Sequence, residues 1–313
     1  MIASEIQAGM RTHLGASLLD KKETGNSVIS FGTGTADYAL GPERLALVCA
    51  WGGRQEVLID SRRVLVDDDT WLAVPAGSPS VRVRGSESMQ AMTLLFRAGL
   101  PQEVLGALLT PEDRMLDGAD ADEANAVPFL PHLQPHDRSV TPVLLFIRRH
   151  TQMGLQDSVW YEEQMAFLLE RMLLRHRHVM QRARSVPVRR SATRREILRR
   201  ISLATDFIHS NYDKPLMLGD MARAAFLSRH HFLRLFKHVH EVTPHEYLQR
   251  KRTSVAARLL RDSGLSVEEV VRQVGFDSRS TLFRAMRRFH GVTPRECRQH
   301  GGSFSLMTES AVA

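Results

Sequence analysis

Between residues 27 and 98 the apolar positions fall in short runs cut by turn chemistry. The stretches 45–51, 54–59, 62–66, 71–74, 81–83 and 89–96 read as strands. Gly52-Gly53, Asp60-Ser61, Asp67-Asp68-Asp69, the Pro- and Gly-containing 75–79 and Gly85-Ser86 separate them. Short strands at this spacing predict a sandwich, barrel or jelly roll. From about 101 the period becomes helical, with an irregular Pro-, Asp- and His-containing stretch over 111–139. Helices are expected over about 140–153 and 157–182. The second carries Met165, Leu169, Met172 and Leu173 at steps of three and four, a stripe that suits either core packing or a dimer-forming helix. The fold class is therefore α+β. The expected domains are a β-sandwich or jelly roll with flanking helices over 1–183 and an all-α domain over 194–300. A small-residue, basic linker containing Pro187 spans 184–193, and a flexible tail covers 301–313.

Composition narrows this picture. The chain has 313 residues, 43% hydrophobic and 25% charged, as expected for two globular domains. Cys49 and Cys297 are the only cysteines, too few and too far apart for a disulfide framework or a CxxC metal site. The first thirty residues hold no basic-then-apolar leader, and no apolar window approaches eighteen residues. A soluble cytoplasmic protein with no membrane contact is expected. The net charge of +7 is unevenly spread. Residues 187–300 hold 23 Lys plus Arg against 11 Asp plus Glu, whereas 1–186 hold 19 against 23. Such asymmetry fits a nucleic-acid-binding domain joined to a different one, although a solvated basic surface accounts for charge alone equally well.

A self-match at an offset of 50 residues settles more. Residues 225–246 align with 275–296, and nine of the 22 positions are identical. Each copy has a short helix (218–224; 267–274), a tight turn, and Ser228 or Ser278 as N-cap of a second helix. In that second helix Phe232, Leu235, Phe236 and Val239 share one face, as do Leu282, Ala285, Met286 and Phe289. The opposite face carries Arg229, His230, Leu233, Arg234 and Lys237, matched by Arg279, Ser280, Phe283, Arg284 and Arg287. This is the layout of a helix-turn-helix, whose second helix enters the DNA major groove. Thr243-Pro-His-Glu246 and Thr293-Pro-Arg-Glu296 each read as a capping box opening the next helix, and Ser266-Val-Glu-Glu269 opens the second copy. The helix from 244 to about 262 joins the units. At about 1.5 Å per residue it is about 28 Å long, comparable with the ~34 Å between major-groove segments one turn apart.

The run Ser228-Arg-His-His-Phe-Leu-Arg-Leu-Phe-Lys237, the Val274-Gly-Phe276 step and the closing Phe289-His-Gly-Val-Thr-Pro294 resemble the AraC/XylS family of bacterial transcription regulators. The resemblance covers about 195–299. It implies a double helix-turn-helix domain on double-stranded promoter DNA, with RNA polymerase a plausible further partner. Departures from the family pattern are Met217 and Gly219 at the start of the first unit, Cys297 in place of an aromatic, and the apolar Leu233 and Phe283. Arg234 and Arg284 occupy equivalent positions and suit bidentate contact with guanine. Arg229, His230, Arg279 and Ser280 are the next base-contact candidates, and Leu233 and Phe283 suit thymine methyl groups. Ser228, Lys237, Lys251, Arg252, Ser278 and Arg287 are assigned to the DNA backbone.

Residues 53–79, with their strand, acidic turn, strand and Pro-Gly turn, resemble the cupin-like jelly roll of many such regulators. That likeness implies a domain that senses a small-molecule effector or makes a homodimer. Tyr38, Trp51 and Trp71 are the aromatic candidates for an effector pocket, though each also suits core packing. A metal-dependent cupin enzyme is disfavoured. The strand region has no His-x-His pair, Pro131 and Pro135 interrupt His132 and His136, and His176 and His178 point apart on a helix. No cofactor, metal or catalytic residue is expected, and Cys49 reads as a buried structural thiol. A sequence-nonspecific architectural DNA binder stays open as an alternative, as does the choice between activation and repression.

Overall fold

The computed structural model describes residues 25–31, 36–59, 62–78, 81–85, 89–108, 129, 132–155, 157–184 and 191–299, with side chains for all of these except 31, 36, 178–184 and 191–195. The chain divides into two compact units, Met1–Val179 and Met180–Ala313. Of the expected linker, 185–190 lie outside the described residues, while 191–193 open a helix. The expected tail, 301–313, also lies outside them.

In the first unit the described strands are β1 (Ser27–Phe31), β2 (Ala36–Leu40), β3 (Ala46–Trp51), β4 (Arg54–Ile59), β5 (Arg62–Asp67), β6 (Thr70–Val74), β7 (Val81–Gly85), β8 (Gln90–Leu95) and β9 (Leu133–Pro135). They form two antiparallel sheets, in the orders β1-β8-β3-β6-β9 and β2-β7-β4-β5. The sheets face each other across a shared core to which Val57, Val64, Val66 and Val83 contribute from one, and Val48, Leu72 and Leu95 from the other. The expected sandwich is therefore present. Strand β9, on the edge beside β6, falls in the stretch the sequence pattern marked as irregular, because three residues are too few to show a period.

The two sheets carry different patterns for a physical reason. In β4 and β7, buried and more exposed positions alternate, because among the described residues only one face of that sheet is covered. Strand β3 is buried almost throughout, because the second face of its sheet packs against helices. Those helices are α1 (Leu100–Leu108), α2 (Thr141–Gln152) and α3 (Ser158–Arg184). Met165, Leu169, Met172 and Leu173 of α3 lie in that core with Leu47, Cys49 and Leu94, so the stripe serves packing within the unit.

The second unit consists, among the described residues, of α4 (Ser191–Asn211), α5 (Leu218–Ala224), α6 (Arg229–His240), α7 (Pro244–Asp262), α8 (Val267–Gln273), α9 (Arg279–His290) and α10 (Pro294–Gln299). Ile197, Ile201, Ala204 and Ile208 make one buried stripe of α4, joined in a single core by Tyr212 just past its end and by Phe232, Phe236, Leu248, Leu260, Val270, Leu282 and Met286. Polar pairs tie α4 to α6 and α7: Thr205 Oγ1 lies 3.1 Å from His240 Nε2, and His209 Nε2 lies 3.0 Å from the Tyr247 hydroxyl.

The structure corrects the repeat alignment inside the turn. The left-handed residue after the leading helix is Phe226 (φ 53°) in the first copy and Gly275 (φ +77°) in the second. Next come Leu227, packed on the core, and the buried Phe276. Phe226 therefore corresponds to Gly275 rather than Phe276, and the second turn is one residue longer. Phe226 is 71% exposed, whereas Phe276 is buried. A bulky residue at positive φ is strained, so the first copy stores strain that glycine avoids in the second.

Candidate nucleic-acid interface

Each second helix is fixed at its start by its cap. The Ser228 hydroxyl accepts from His231 N at 3.4 Å, and that of Ser278 from Thr281 N at 3.2 Å. The capping boxes differ in completeness. Ser266 with Glu269 and Thr293 with Glu296 are reciprocal. Thr243 caps Glu246 N at 3.2 Å, but the Glu246 carboxylate accepts instead from Arg250 (3.2 Å) and Arg288 (3.3 Å), so that box is only half formed. At α5, Met217 offers no capping oxygen. Asp220 reaches back to Met217 N at 2.9 Å, so only the N3 half of the box is formed there.

With the helix starts fixed, the faces follow from the 3.6-residue period. Phe232, Leu235 and Phe236 of α6, and Leu282 and Met286 of α9, are buried. Arg229, His230, Leu233, Arg234 and Lys237 are exposed on α6, and Arg279, Ser280, Phe283, Arg284 and Arg287 on α9. The ten surface positions expected from the repeat therefore form two matched, mostly cationic faces, each with one apolar residue at its middle. Not all are equally free. Arg279 Nη1 donates to Glu268 at 2.6 Å, and Arg287 donates to the Gly291 carbonyl at 3.3 Å with Glu296 at 3.8 Å.

Two expected backbone contacts are corrected. Lys251 and Arg252 are 5% and 6% exposed, with the Lys251 Nζ 5.4 Å from the centroid of the Tyr212 ring. Arg252 Nε donates to the Tyr212 carbonyl and Nη2 to the Lys214 carbonyl, both at 2.7 Å, while the guanidinium lies over Phe276. Burial pushes its pKa down, and Asp277 and Asp213 partly restore it. The side chain spans the turn after α4, the connector α7 and the turn of the second helix pair, so it fixes that helix pair against the turn after α4. Sequence reasoning placed it at the surface because a 3.6-residue period marks where a face lies, not what a long side chain reaches.

In the first unit the three expected pocket aromatics do not converge. Tyr38 points into the core between the sheets, whereas Trp51 and Trp71 belong to the helix-covered face of β3 and β6. The Tyr38 hydroxyl is 2.6 Å from Thr93 Oγ1 beside the wholly buried Gln55, and burial raises its pKa to about 12. Arg148 stacks over Trp51 at 4.3 Å. The Cys49 thiol is fully buried, and desolvation pushes its pKa up. His136 is buried with Nδ1 3.0 Å from Thr141 Oγ1, and no group of three or more His, Cys, Asp or Glu among the described residues is placed to hold a metal ion.

A family model described as a helix-turn-helix domain matches residues 221–300. "Probable transcriptional regulator LumQ" of Photobacterium leiognathi is 32% identical over 92 residues, 29% of this chain and 37% of its own length. The HTH-type transcriptional regulator AlkR of Acinetobacter baylyi is 31% identical over 99 residues, 32% of each protein. A solved AraC-type transcriptional regulator from Chromobacterium violaceum is 27% identical, covering 33% of this chain and 93% of its own, with a TM-score of 0.32. The chain thus spans about a third of the length of the curated relatives it matches. The second unit carries a helix-turn-helix domain similar in sequence to part of these transcriptional regulators.

Proposed function

We propose that the protein is a sequence-specific, DNA-binding transcription regulator of the AraC type. The observation that carries this reading is the pair of capped second helices, each presenting an exposed cationic face at matched positions, in a segment that matches a helix-turn-helix model. Arg234 and Arg284 read guanine, with Arg229, His230, Leu233, Ser280 and Phe283 as neighbouring base contacts. Lys237 and Arg287 hold phosphate, as do the Ser228 and Ser278 hydroxyls at the helix starts. The setting is the cytoplasm, at the nucleoid when DNA is bound, with RNA polymerase as partner.

The first unit is the regulatory half of this reading. A cupin-like sandwich takes a small-molecule effector, with the buried polar group of Tyr38, Gln55 and Thr93 as its anchor inside the inter-sheet core. A homodimer forms through the surface of α2, the turn after it and the start of α3, where Phe146, Met153, Leu155 and Val159 leave apolar surface exposed. An effector changes DNA binding only as far as it favours one conformation of the protein over another.

Selection of bound sites from random duplex DNA, with and without candidate metabolites, tests the whole. The expected result is a bipartite site whose halves lie about one helical turn apart. Equal affinity for every duplex, with only a steep salt dependence, makes the protein an architectural binder instead.

A further inference from the structure

The two helix pairs differ at one set of equivalent positions. The second residue past the cap is Gly219 in α5 and Glu268 in α8, and the first residue of each following helix is Arg229 or Arg279. In the second pair, Arg279 Nη1 donates to Glu268 Oε1 at 2.6 Å. In the first, a Cβ on Gly219 would stand 3.0 Å from both Nε and Nη2 of Arg229. The guanidinium thus lies on bare helix backbone, in space that any side chain at 219 would take.

The inequality continues along both helices. Among the described residues no carboxylate stands within ion-pair distance of Arg229, Arg234 or Lys237. In α9, Arg279 pairs with Glu268, Arg287 stands 3.8 Å from Glu296, and Arg288 stands 3.3 Å from Glu246, while Arg284 has no such neighbour. The copies are alike in shape and unlike in available charge.

We propose that the two helix pairs grip DNA unequally, and that Glu268 is the residue that weakens the second grip. This rests on the DNA-binding reading above. Glu268 acts in two ways. It occupies the donors that Arg279 would turn to a phosphate or a base, and it sets a negative charge beside the start of α9, where the DNA backbone approaches. Releasing an exposed ion pair is easy, but the carboxylate remains after release and repels the phosphates. Gly219 does the reverse for Arg229, because it brings no charge and leaves the guanidinium room. The first pair is then the anchor, and the second samples its half-site more loosely.

Binding of the full chain to its selected duplex, measured across salt concentrations for wild type, Glu268→Gln and Gly219→Glu, tests this. Glu268→Gln keeps the shape and removes the charge. It is expected to tighten binding at low salt and to steepen the log K against log [salt] slope by about 0.9, one further phosphate contact. Between about 50 and 200 mM salt the variant then loses about 3.5-fold more affinity than wild type. Gly219→Glu is expected to change the slope in the opposite sense, and footprints should show the first half-site filled at lower protein concentration than the second. An unchanged slope and affinity for Glu268→Gln overturns the proposal. So does weaker binding confined to one base position, which makes Glu268 an orienter of Arg279 instead. A wild-type protein that binds no duplex at all overturns the DNA-binding reading itself, a result distinct from either.

Discussion

Replacing Gly275 by alanine measures how closely the second helix pair is seated against the turn after α4. Two costs are separable. Gly275 has φ +77°, a conformation in which a Cβ costs about 1–2 kcal/mol, partly offset by the lower unfolded-state entropy of alanine, about 0.4–1 kcal/mol. The new Cβ would also stand 2.7 Å from the Asp213 carbonyl oxygen, 2.9 Å from its carbon and 3.0 Å from Arg252 Nη2. The Asp213 carbonyl is backbone, and Arg252 holds the carbonyls of Tyr212 and Lys214 on either side of it, so the turn cannot move without breaking hydrogen bonds. Overpacking of this kind adds about 1–3 kcal/mol, for a total of about 1.5–4 kcal/mol. Gly291 supplies the control, because it has φ +71° and nothing within 4 Å of its Cβ position. Gly291→Ala should cost only about 0.5–1 kcal/mol. Urea unfolding of the full chain, followed by helical circular dichroism, compares the two. Equal losses from both substitutions would refute the close-approach argument and leave only the dihedral cost.

Arg252→Leu leaves two carbonyls of the turn after α4 without their donor and should destabilise the helical unit by about 3 kcal/mol. Its DNA-binding salt slope should stay unchanged; a shallower slope with no loss of stability would return Arg252 to the phosphate. His176 has its pKa lowered by burial from 6.5 to about 4, and its Nε2 is buried with no hydrogen-bond partner among the described residues. As pH falls from 6.5 towards 4 the unfolded chain takes up a proton that the folded chain refuses, so about 2–3 kcal/mol of stability is present above pH 6.5 and lost by about pH 4. Stability measured against pH should therefore fall less for His176→Leu than for wild type across that window, and parallel curves would rule the ring out. Arg234→Ala should cost about 1–3 kcal/mol at one base position and relax preference there. A site preference identical to wild type would remove Arg234 from the base-reading set.

Much of the DNA-facing surface was legible because both of its signals are local. A helical face follows from the 3.6-residue period, and Ser228, Ser278 and Thr293 cap helices a few residues away, so position along the chain fixes which side chains point outward. The runs that form β3 to β8 were legible for the same reason, whereas β1 and β2 were not among the expected strands. Where local chemistry was ambiguous, the reading was incomplete. The Thr243 box is half formed because Arg250 and Arg288 compete for Glu246, and the one-residue difference between the turns is hidden by the chance match of Phe226 with Phe276.

What the sequence determined on its own was the two-part organisation, the repeated helix pair and the identity of the exposed faces, since each depends on spacing within about twenty residues. The tertiary structure alone decided which charges remain available. Lys251 and Arg252 belong to the core, Arg279 belongs to Glu268, and Arg229 lies over Gly219. It also separated Tyr38 from Trp51 and Trp71, on opposite faces of the five-stranded sheet. Long cationic side chains span several ångströms, and their partners come from other elements, so their burial and pairing follow from how helices and sheets pack, which no local period records.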